Sequence, residues 1–461
     1  MNELLVISAA KMAELIRTKQ VSSEQLVRVH LDRIAEVNPK INAVVHIRAE
    51  GALAEARERD AELSKGISRG PFHGVPMTVK DSLVTAGIVT TSGTLGRANH
   101  VPDRDAGTVA LMRKAGAVIL GKTNVPELCL AFESDNLIFG RTNNPHDLTR
   151  TSGGSSGGEA AIIASGGSPI GLGSDAGGSV RLPAHFCGIA AIKPTSGRLP
   201  KTGHYLPPGG IADRLWQVGP MARFVEDLVL ALPVLAQSDG IDASVIPMPV
   251  KDPAEVRLND LRIAFYTDNG VSAPTAETVH TVNQAARALL DAGCTVEESI
   301  PDGIGVSSKM WCDLIAPDGG AGLRDLLASI GTTTFHPLLR QFLAIAEARA
   351  MTTTQLLGLI GEWDALRTRM LPFLGKYHAI VCPAAASAAI PHGTSYDQLD
   401  IFTYTIAYNF AGWPAVVVPF GKSEAGLPIG VQVVSHPWRE DVALAVAQYL
   451  EKTKPVVTTA F

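Results

Sequence analysis

The sequence is poor in the features that mark nucleic-acid-binding and membrane proteins. Only 18% of its 461 residues are charged, and its 45 acidic residues outnumber its 40 lysines and arginines. A net charge of −5 offers no basic surface to nucleic acid. No apolar run approaches the roughly 18 residues that a membrane-spanning helix needs. The 46% of residues that are hydrophobic are therefore available to fill a large core.

Cysteine is also scarce and shows no metal-site or disulfide pattern. The five cysteines are odd in number, scattered and without a C-x-x-C pair: Cys129, Cys187, Cys294, Cys312 and Cys382. Such a set argues against a zinc site and a disulfide framework, and it favours a reducing compartment. The N-terminus has an early acidic residue and no small-residue cleavage site after a long apolar core, which is not the pattern of a secretory signal. We expect a cytoplasmic protein.

Glycine and serine are concentrated in one stretch, residues 152–194. Unlike a disordered linker, this stretch is interleaved with apolar runs at 160–164 and 169–172 that belong inside a core. Ser155 and Ser179 each stand beside glycine pairs. A row of glycine N–H groups can hold a developing oxyanion, and the serine beside it can attack a carbonyl carbon. Such a serine needs a base to remove its proton.

The candidate base lies upstream, in the segment GVPMTVKDSL. Residues 75–79 predict a short buried strand that ends in Lys80 and Asp81. A lysine at the end of an apolar strand loses part of its hydration, which lowers its pKa, and the neutral amine can then act as a base. Taken alone, this pattern fits a surface lysine paired with Asp81 equally well.

Taken together and in this order, the motifs resemble those of the amidase signature family. The resemblance rests on Lys80, the SGGSSGG loop with Ser155, the SDAGGSVR segment with Ser179, the string CGIAAIKPT, and GPMAR at 219–223. It runs from about Ala9 to the C-terminus and looks closer to the fatty-acid-amide-hydrolase-like branch than to the transamidase subunits. It implies one large α/β domain over residues 1–461, with a central mixed, mostly parallel twisted sheet covered by helices on both faces. The catalytic core would span about 70–225.

The resemblance implies a Ser-Ser-Lys triad. Ser179 would be the nucleophile, and Ser155, placed by an unusual cis peptide bond, would pass protons between Ser179 and a neutral Lys80. The leaving amine would receive its proton by the same route, because an amide breaks only when its nitrogen is protonated. Water would then release the acyl group, and this chemistry needs neither a metal nor an organic cofactor.

The resemblance also implies roles for the neighbouring groups. The oxyanion hole would consist of the backbone N–H groups of Ala176, Gly177, Gly178 and Ser179. The acyl pocket would be lined by Cys129, Leu130 and Phe132. Four residues would support the lysine and the glycine turn: Ser156, Ser174, Asp175 and Arg181. Ala176 stands where relatives often carry a larger residue, which implies a roomier site.

Apolar periodicity predicts strands that alternate with helices. The predicted helices are two within 8–36, then 49–64, 109–114, 224–237, 276–292, 355–371 and 441–451. The predicted strands are 43–47, 75–80, 117–120, 262–267, 295–298, 379–382, 415–419 and 430–434. Asn38-Pro39 is expected to break the helical pattern, and 204–213 to form a loop near the site. Residues 303–345 are the least regular part and are expected to shape the substrate mouth.

The segment 116–123 fits the phosphate-binding pattern G-x-x-x-x-G-K-[ST]. Its four middle residues are apolar and strand-like, and Pro126 follows where a helix should begin. Because a phosphate cradle needs a flexible loop that leads into a helix, this context argues against a nucleotide site.

Two further motif matches are typical of other classes of serine enzyme. The segment 153–157 fits the nucleophile elbow G-x-S-x-G, which would make Ser155 the nucleophile with a histidine as its base. That motif needs a strand immediately before the serine, and TNNPHDLTRT is predicted to be a loop. Segments 8–11, 134–136 and 201–203 reproduce S-x-x-K, S-D-N and K-T-G in order, but Ser8 is better interpreted as a helix cap.

Three functions remain open from the sequence. The first is a stand-alone serine hydrolase of small-molecule amides, which would also accept aryl anilides, esters or carbamates (urethanes). The second is the glutaminase subunit of a tRNA-dependent transamidase, against which the acidic chain and the segment SGRLPKTGHY count. The third is a non-catalytic binding protein of the same fold. Neither nucleic acid nor a membrane is an expected partner, and a homodimer is left open.

Overall fold

One large β-sheet organises the chain in the computed structural model, which describes residues 2–206 and 210–454. The α-helices are α1 (Ala9–Arg17), α2 (Ser23–Ile41), α3 (Ala49–Ser64), α4 (Gly107–Lys114), α5 (Gly157–Ala164), α6 (Arg181–Cys187), α7 (Val225–Leu235), α8 (Ala276–Asp291), α9 (Ile304–Leu314), α10 (Ala321–Ser329), α11 (Pro337–Glu347), α12 (Thr353–Leu374), α13 (Thr403–Ala411) and α14 (Glu440–Thr453). The strands are β1 (Val44–Ile47), β2 (Pro76–Lys80), β3 (Val118–Thr123), β4 (Asn143–Asn144), β5 (Asp147–Thr151), β6 (Ile170–Asp175), β7 (Ala190–Lys193), β8 (Gln217–Ala222), β9 (Arg262–Phe265), β10 (Thr295–Glu298), β11 (Ala379–Pro383), β12 (Ala415–Lys422) and β13 (Pro428–Ser435).

Eleven strands form the sheet in the order β1-β3-β2-β6-β8-β7-β12-β13-β11-β9-β10. The sheet is mixed, as the sequence predicts, but the expectation that it is mostly parallel is wrong. Its middle strands, from β6 through β8, β7, β12 and β13 to β11, pair antiparallel. The connection 423–427 between β12 and β13 is too short for anything else, since a parallel pair needs a crossover of a dozen or more residues. Parallel pairs join β2 to β3 and β6, and β9 to β10 and β11.

Helices cover both faces of the sheet. Successive side chains of a strand point to opposite faces, and in β12 Val416 and Val418 join one hydrophobic core while Val417 joins another. The first core takes in apolar residues of α7, α8 and α14, and the second takes in those of α5 and α6. Every residue of α5 is buried, which explains why this helix has no polar face.

The parallel strands β2 and β6 place the key side chains at one edge of the sheet. Their register aligns Thr78 with Gly171 and Val79 with Leu172. Lys80, the last residue of β2, therefore lies beside the end of β6, where Ser174 stands. Sheets of this kind bind ligands at the carboxyl ends of parallel strands, and the site is at that edge.

The prediction that Asn38-Pro39 breaks the helical pattern is wrong. Helix α2 continues through Pro39 to Ile41 and ends at Asn42, which has a left-handed backbone. The Asn38 side chain closes this end, because its Oδ1 accepts the N–H groups of Ala43 and Val44, both at 2.8 Å. These two bonds give an acceptor to the backbone N–H groups just beyond the end of the helix.

The segment 303–345 is more regular than predicted. It holds α9, α10 and most of α11, separated by left-handed glycines such as the pair Gly319-Gly320. None of these helices exceeds about three turns, so the apolar repeat is interrupted before it becomes visible in the sequence.

Two loop predictions are also changed. TNNPHDLTRT contains the two-stranded hairpin β4–β5. Its side chains are largely polar and partly exposed, so it lacks the apolar alternation that marks a strand. In the predicted loop 204–213, residues 207–209 lie outside the described residues, and a short 3₁₀ turn begins at Ala212.

Candidate active site

Lys80 is fully buried and surrounded by hydroxyl and carbonyl oxygens. Its Nζ lies 2.7 Å from Ser155 Oγ, 2.9 Å from Ser174 Oγ and 3.3 Å from the Ser174 carbonyl oxygen. Within the described residues no carboxylate forms an ion pair with it, and burial lowers the pKa of its amine. In its neutral form the amine can donate two N–H bonds to Ser174 and accept the Ser155 proton on its lone pair.

Ser155 lies in the tight loop that leads into α5. The Gly154–Ser155 peptide bond is cis, as the resemblance implies. A side chain on Gly154 would lie 2.6 Å from the backbone nitrogen of Glu133 and 2.7 Å from the carbonyl carbon of Phe132. Only glycine allows this close approach, and it fixes Ser155 between the 132–133 backbone and Lys80.

Ser179 lies just before α6, and its hydroxyl makes no hydrogen bond within the described residues. Its carbonyl oxygen accepts the N–H of Ser156 at 3.0 Å, which ties the two serine loops together. Ser155, Ser174 and Ser179 line one cavity of about 470 Å³. The structure thus brings the three predicted triad members to one place, with Ser155 against Lys80 and Ser179 on the same cavity.

The backbone after β6 offers unpaired N–H groups. Those of Ala176, Gly177 and Ser179 have no acceptor in the described part of the chain. The fourth predicted donor differs, since the N–H of Gly178 is bound by Asp175 Oδ1 at 2.8 Å. Three of the four groups are therefore free to bind substrate. Backbone N–H groups this deep in a protein are rarely left unpaired, so their common acceptor is expected on the ligand.

Asp175 and Arg181 form a fully buried ion pair beneath this loop. Arg181 Nε and Nη2 each donate to the carboxylate at 2.9 Å. Burial by itself would raise the pKa of Asp175, but the guanidinium outweighs it and holds the pKa well below its usual range. The pair stays charged and braces the turn that carries Ser179.

Ser156 connects the same elements. Its hydroxyl donates to the Ser174 carbonyl oxygen at 3.3 Å and accepts the Ser174 N–H at 3.4 Å. Ser156 and Ser174 therefore lie where the sequence predicts supporting residues, between the two serine loops and the lysine.

His204 was missed by the sequence analysis as a contributor to the site. Its Nε2 lies 2.9 Å from Ser174 Oγ and 3.1 Å from Ser82 Oγ, and its Nδ1 lies 3.2 Å from the Leu206 carbonyl oxygen. We assign the proton to Nδ1, which donates to Leu206, so Nε2 accepts from the hydroxyls. Burial lowers the pKa of His204 to about 3 and keeps the ring neutral. No motif marks this histidine, and only its place in a predicted loop near the site hinted at it.

Two cavities converge on Ser179. The larger, about 470 Å³, also contains Ser155 and is walled by Leu128, Ile211, Trp216, Leu314, Leu323 and Phe342. The smaller, about 310 Å³, is walled by Phe132, Trp311, Ile315, Ile345, Tyr396 and Ile406. Cys129, Leu130 and Ala176 border both cavities. Substrate on Ser179 would therefore meet apolar walls on both sides.

The structure also shows whether the competing motif matches have the structural context that they need. Lys122 of the phosphate-loop match lies buried within β3, and its Nζ donates to Thr85 Oγ1 at 2.8 Å. A strand does precede Ser155, contrary to the prediction, but Ser155 contacts Lys80 rather than a histidine. Ser8 caps α1 by accepting the N–H of Lys11 at 3.1 Å, as predicted.

Two absences within the described residues bear on other functions. No helix there is long and apolar enough to cross a membrane. No group of three or more His, Cys, Asp or Glu side chains in that part of the chain is arranged to hold a metal ion.

Known proteins resemble this chain over nearly its whole length. The Amidase family model matches residues 25–444. Fatty-acid amide hydrolase 2-A of Danio rerio is 34% identical over 481 residues, which cover 98% of this chain and 89% of that protein. A glutamyl-tRNA(Gln) amidotransferase subunit of Acidothermus cellulolyticus is also 34% identical, over 98% of this chain and 95% of that protein. The solved structure of a bacterial aryl acylamidase of the amidase signature family superposes with a TM-score of 0.87 at 26% identity, covering 99% of this chain and 98% of that one.

Proposed function

Because the chain belongs to the amidase signature family and is an amide-hydrolysing enzyme, we propose that it cleaves amides through an acyl-enzyme on Ser179. The observation that carries this proposal is the buried Lys80 amine 2.7 Å from Ser155 Oγ, because Ser155 lies on the cavity that also holds Ser179. A neutral amine in contact with a serine hydroxyl is a base poised to activate a nucleophile.

In the first step the Ser179 oxygen forms a bond to the carbonyl carbon. Its proton passes to Ser155 Oγ as the Ser155 proton passes to Lys80 Nζ, so the lysine becomes an ammonium. The carbonyl π electrons move onto oxygen, and the N–H groups of Ala176, Gly177 and Ser179 receive that charge. Such donors stabilise the transition state because they are fixed before charge develops.

In the second step the C–N bond breaks. The proton on Lys80 returns through Ser155 to the leaving nitrogen, which departs as a neutral amine. A water molecule then attacks the ester carbon, gives its proton along the same path, and releases the carboxylic acid with Ser179 restored. The absence of an ion pair between Lys80 and a carboxylate in the described part of the chain supports this cycle, because such a pair would keep the lysine protonated.

The direction of proton return orients the substrate. The leaving nitrogen must face Ser155, which borders the larger cavity and not the smaller one. The amine portion therefore occupies the larger cavity, and the acyl portion occupies the smaller cavity beside Phe132. Cys129 and Leu130 border both cavities, at the position of the scissile bond.

The walls favour apolar groups on both sides of the scissile bond. Leu128, Trp216 and Leu323 are among the residues that face the amine portion, and Phe132 and Tyr396 face the acyl portion. We therefore propose aryl anilides and other apolar amides as the main substrates, with aryl esters and N-aryl carbamates also accepted. The similarity to an aryl acylamidase supports this choice.

The glutaminase subunit of a transamidase is the second candidate. It is supported by the similarity to the amidotransferase subunit of Acidothermus cellulolyticus. Charged side chains that could bind the amino acid end of glutamine do border the cavities, among them Asp318 in the larger and Arg349 in the smaller, but apolar side chains make up most of both walls. We therefore rank this function below the apolar amidase.

The remaining proposals concern the whole chain. We propose that it works as one amidase domain, with its catalytic core at about 70–225 and a substrate mouth formed by 303–345. Trp311, Leu314 and Phe342 support the second assignment, because they line the cavities. A cytoplasmic location is supported by the five free cysteines. Pairing of two copies stays a proposal, which the molar mass in solution tests.

A fluorophosphonate probe and a substrate panel test the function. We expect the probe to modify Ser179, as located by peptide mass spectrometry, and Ser179→Ala to abolish the labelling. The panel compares a 4-nitroanilide, its 4-nitrophenyl ester, an N-aryl carbamate and glutamine. Activity on glutamine alone would favour the transamidase subunit. An unlabelled chain that hydrolyses none of the four compounds would favour the non-catalytic binding protein.

A further inference from the structure

Three side chains donate hydrogen bonds to the carbonyl groups of three consecutive residues, at the end of β6 and in the loop that follows it. Asn409 Nδ2 donates to the Asp175 carbonyl oxygen at 3.0 Å, and Thr405 Oγ1 donates to that of Gly177 at 2.7 Å. Between them, Trp311 Nε1 donates to the Ala176 carbonyl oxygen at 2.7 Å. Asn409 and Thr405 belong to α13 and Trp311 to α9, far along the chain from the loop that they hold.

A peptide unit is planar, and in its trans form the C=O and the following N–H point in opposite directions. A donor that fixes the Ala176 carbonyl therefore also fixes the N–H of Gly177. By the same reasoning Asn409 fixes the N–H of Ala176, and Thr405 fixes that of Gly178. The last group is bound by Asp175, whereas the N–H groups of Ala176 and Gly177 are unpaired within the described residues.

Trp311 differs from the other two in its surroundings. Thr405 and Asn409 belong to α13 and are fully buried, whereas the Trp311 ring is partly exposed and forms a wall of the smaller cavity. The ring also lies close to the loop, since a side chain on Gly177 would come within 2.9 Å of Trp311 Cζ2. Its N–H and its ring thus hold the same peptide unit from one side.

We propose that Trp311 is a positioning residue for the oxyanion hole, which aims the Gly177 N–H at the charge that develops on the substrate oxygen. The inference rests on the proposed function, because it assumes that Ser179 attacks a carbonyl carbon. The position of Trp311 also couples the acyl cavity to the reaction rate, because its indole both borders that cavity and orients the Gly177 N–H. Removing the indole N–H leaves the Gly177 N–H in place but less firmly oriented.

Trp311→Phe tests the proposal because it keeps an aromatic ring and loses only the N–H donor and part of the bicycle. We expect kcat for the 4-nitroanilide to fall about tenfold, below the loss seen when an oxyanion donor is deleted outright, while KM changes less than about twofold. An aryl trifluoromethyl ketone forms a tetrahedral oxyanion on the attacking serine, so its affinity should fall by the same factor as kcat/KM. A residue that merely lines the cavity would change KM instead.

Trp363→Phe is the matched control. Trp363 is fully buried, and its Nε1 donates to the Phe410 carbonyl oxygen at 2.9 Å, so the substitution also removes one indole–carbonyl bond. We expect it to lower the melting temperature more than Trp311→Phe does and to leave kcat within about twofold. The partly exposed Trp311 should tolerate its substitution with the fold intact.

The outcomes separate this inference from the function on which it rests. Wild-type protein that the fluorophosphonate does not label at Ser179 would overturn the proposed function itself. Labelled wild-type protein together with a Trp311→Phe variant of unchanged ketone affinity would overturn the positioning role alone. A loss confined to KM would overturn it as well.

Discussion

Lys80 and Lys122 occupy neighbouring strands, are equally buried, and have different surroundings. In the parallel pair β2–β3, Lys122 lies opposite Val79, one residue from Lys80. Lys122 is bound by the Leu83 carbonyl oxygen and by Thr85 Oγ1, and burial lowers its pKa while the attraction of Asp81 opposes this change. The attraction of Asp175 and Glu159 likewise opposes the lowering of the Lys80 pKa, but the Lys80 amine meets the hydroxyls of Ser155 and Ser174, which face a cavity.

The difference teaches what turns a buried lysine into a base. A buried ammonium is retained when a carboxylate compensates it, and it then serves the structure. A buried lysine whose pKa is lowered can serve as a base when a hydroxyl on a cavity faces its lone pair. Burial alone therefore does not identify the base, and the neighbours decide its role.

The largest effect expected from this comparison is on catalysis. Lys80→Met should lower kcat/KM for the 4-nitroanilide by about 10⁴-fold, because within the described residues the Ser155 hydroxyl has no other hydrogen-bond partner to accept its proton. Lys122→Met should lower it less than tenfold. The loss in Lys80→Met should be smaller for the ester at high pH, since that leaving group needs less protonation. Equal losses in the two variants would show that both lysines act through the structure.

The link between Lys80 and Ser179 is the next point to test. Ser155→Ala should lower kcat/KM for the anilide by about 10³-fold, because it removes the hydroxyl through which the proton passes. Ser165→Ala is the control, since that hydroxyl donates to the Ala161 carbonyl oxygen one helical turn away. If Ser155→Ala retained most of its activity, Lys80 and Ser179 would have to exchange protons by another route.

The stabilities of the two lysine variants should differ in the opposite sense. Lys122→Met removes the attraction that favours the buried Asp81 carboxylate and the bonds to Leu83 and Thr85, and we expect the free energy of unfolding to fall by about 2 kcal/mol at pH 7. Lys80→Met removes a buried amine that forms no ion pair within the described residues, and it should leave that free energy unchanged or higher. Urea denaturation measures both variants. A large loss in Lys80→Met would mean that Lys80 also has a structural role.

The pH profile gives the smallest and most specific effect. Activity should rise with pH as Lys80 loses its proton, with a midpoint below the ordinary lysine value of about 10.5, since burial lowers the pKa. The Ser174 hydroxyl accepts from the amine and favours its charged form, so Ser174→Ala should move this midpoint to lower pH and lower the plateau about tenfold. A midpoint that moves to higher pH would contradict the neutral-amine assignment.

The parts of the site that the sequence predicts are those carried by short local motifs. A buried strand that ends in Lys80 can be recognised in ten residues, and the loops with Ser155 and Ser179 combine glycine, serine and apolar runs that a linker does not have. The helices α8 and α14 were also predicted closely, because their apolar faces repeat over three turns or more.

The parts of the site and of the fold that the sequence does not predict depend on contacts between segments that are distant along the chain. His204, Trp311 and Asn409 carry no motif, and they matter because the fold places them against Ser174 and the loop after β6. The antiparallel middle of the sheet was missed for the same reason, since strand order is not written in the periodicity of any one strand.

Arg181 has a consequence for the making of the protein. Its Nη1 donates to the Thr405 carbonyl oxygen at 2.9 Å and to Gln432 Oε1 at 2.6 Å, in the last strand of the sheet. A ribosome that has finished the first 300 residues has delivered every triad serine and the lysine, but not the segments that brace them. We therefore expect the nascent chain to stay inactive until the segments that carry Thr405 and Gln432 have been synthesised and folded.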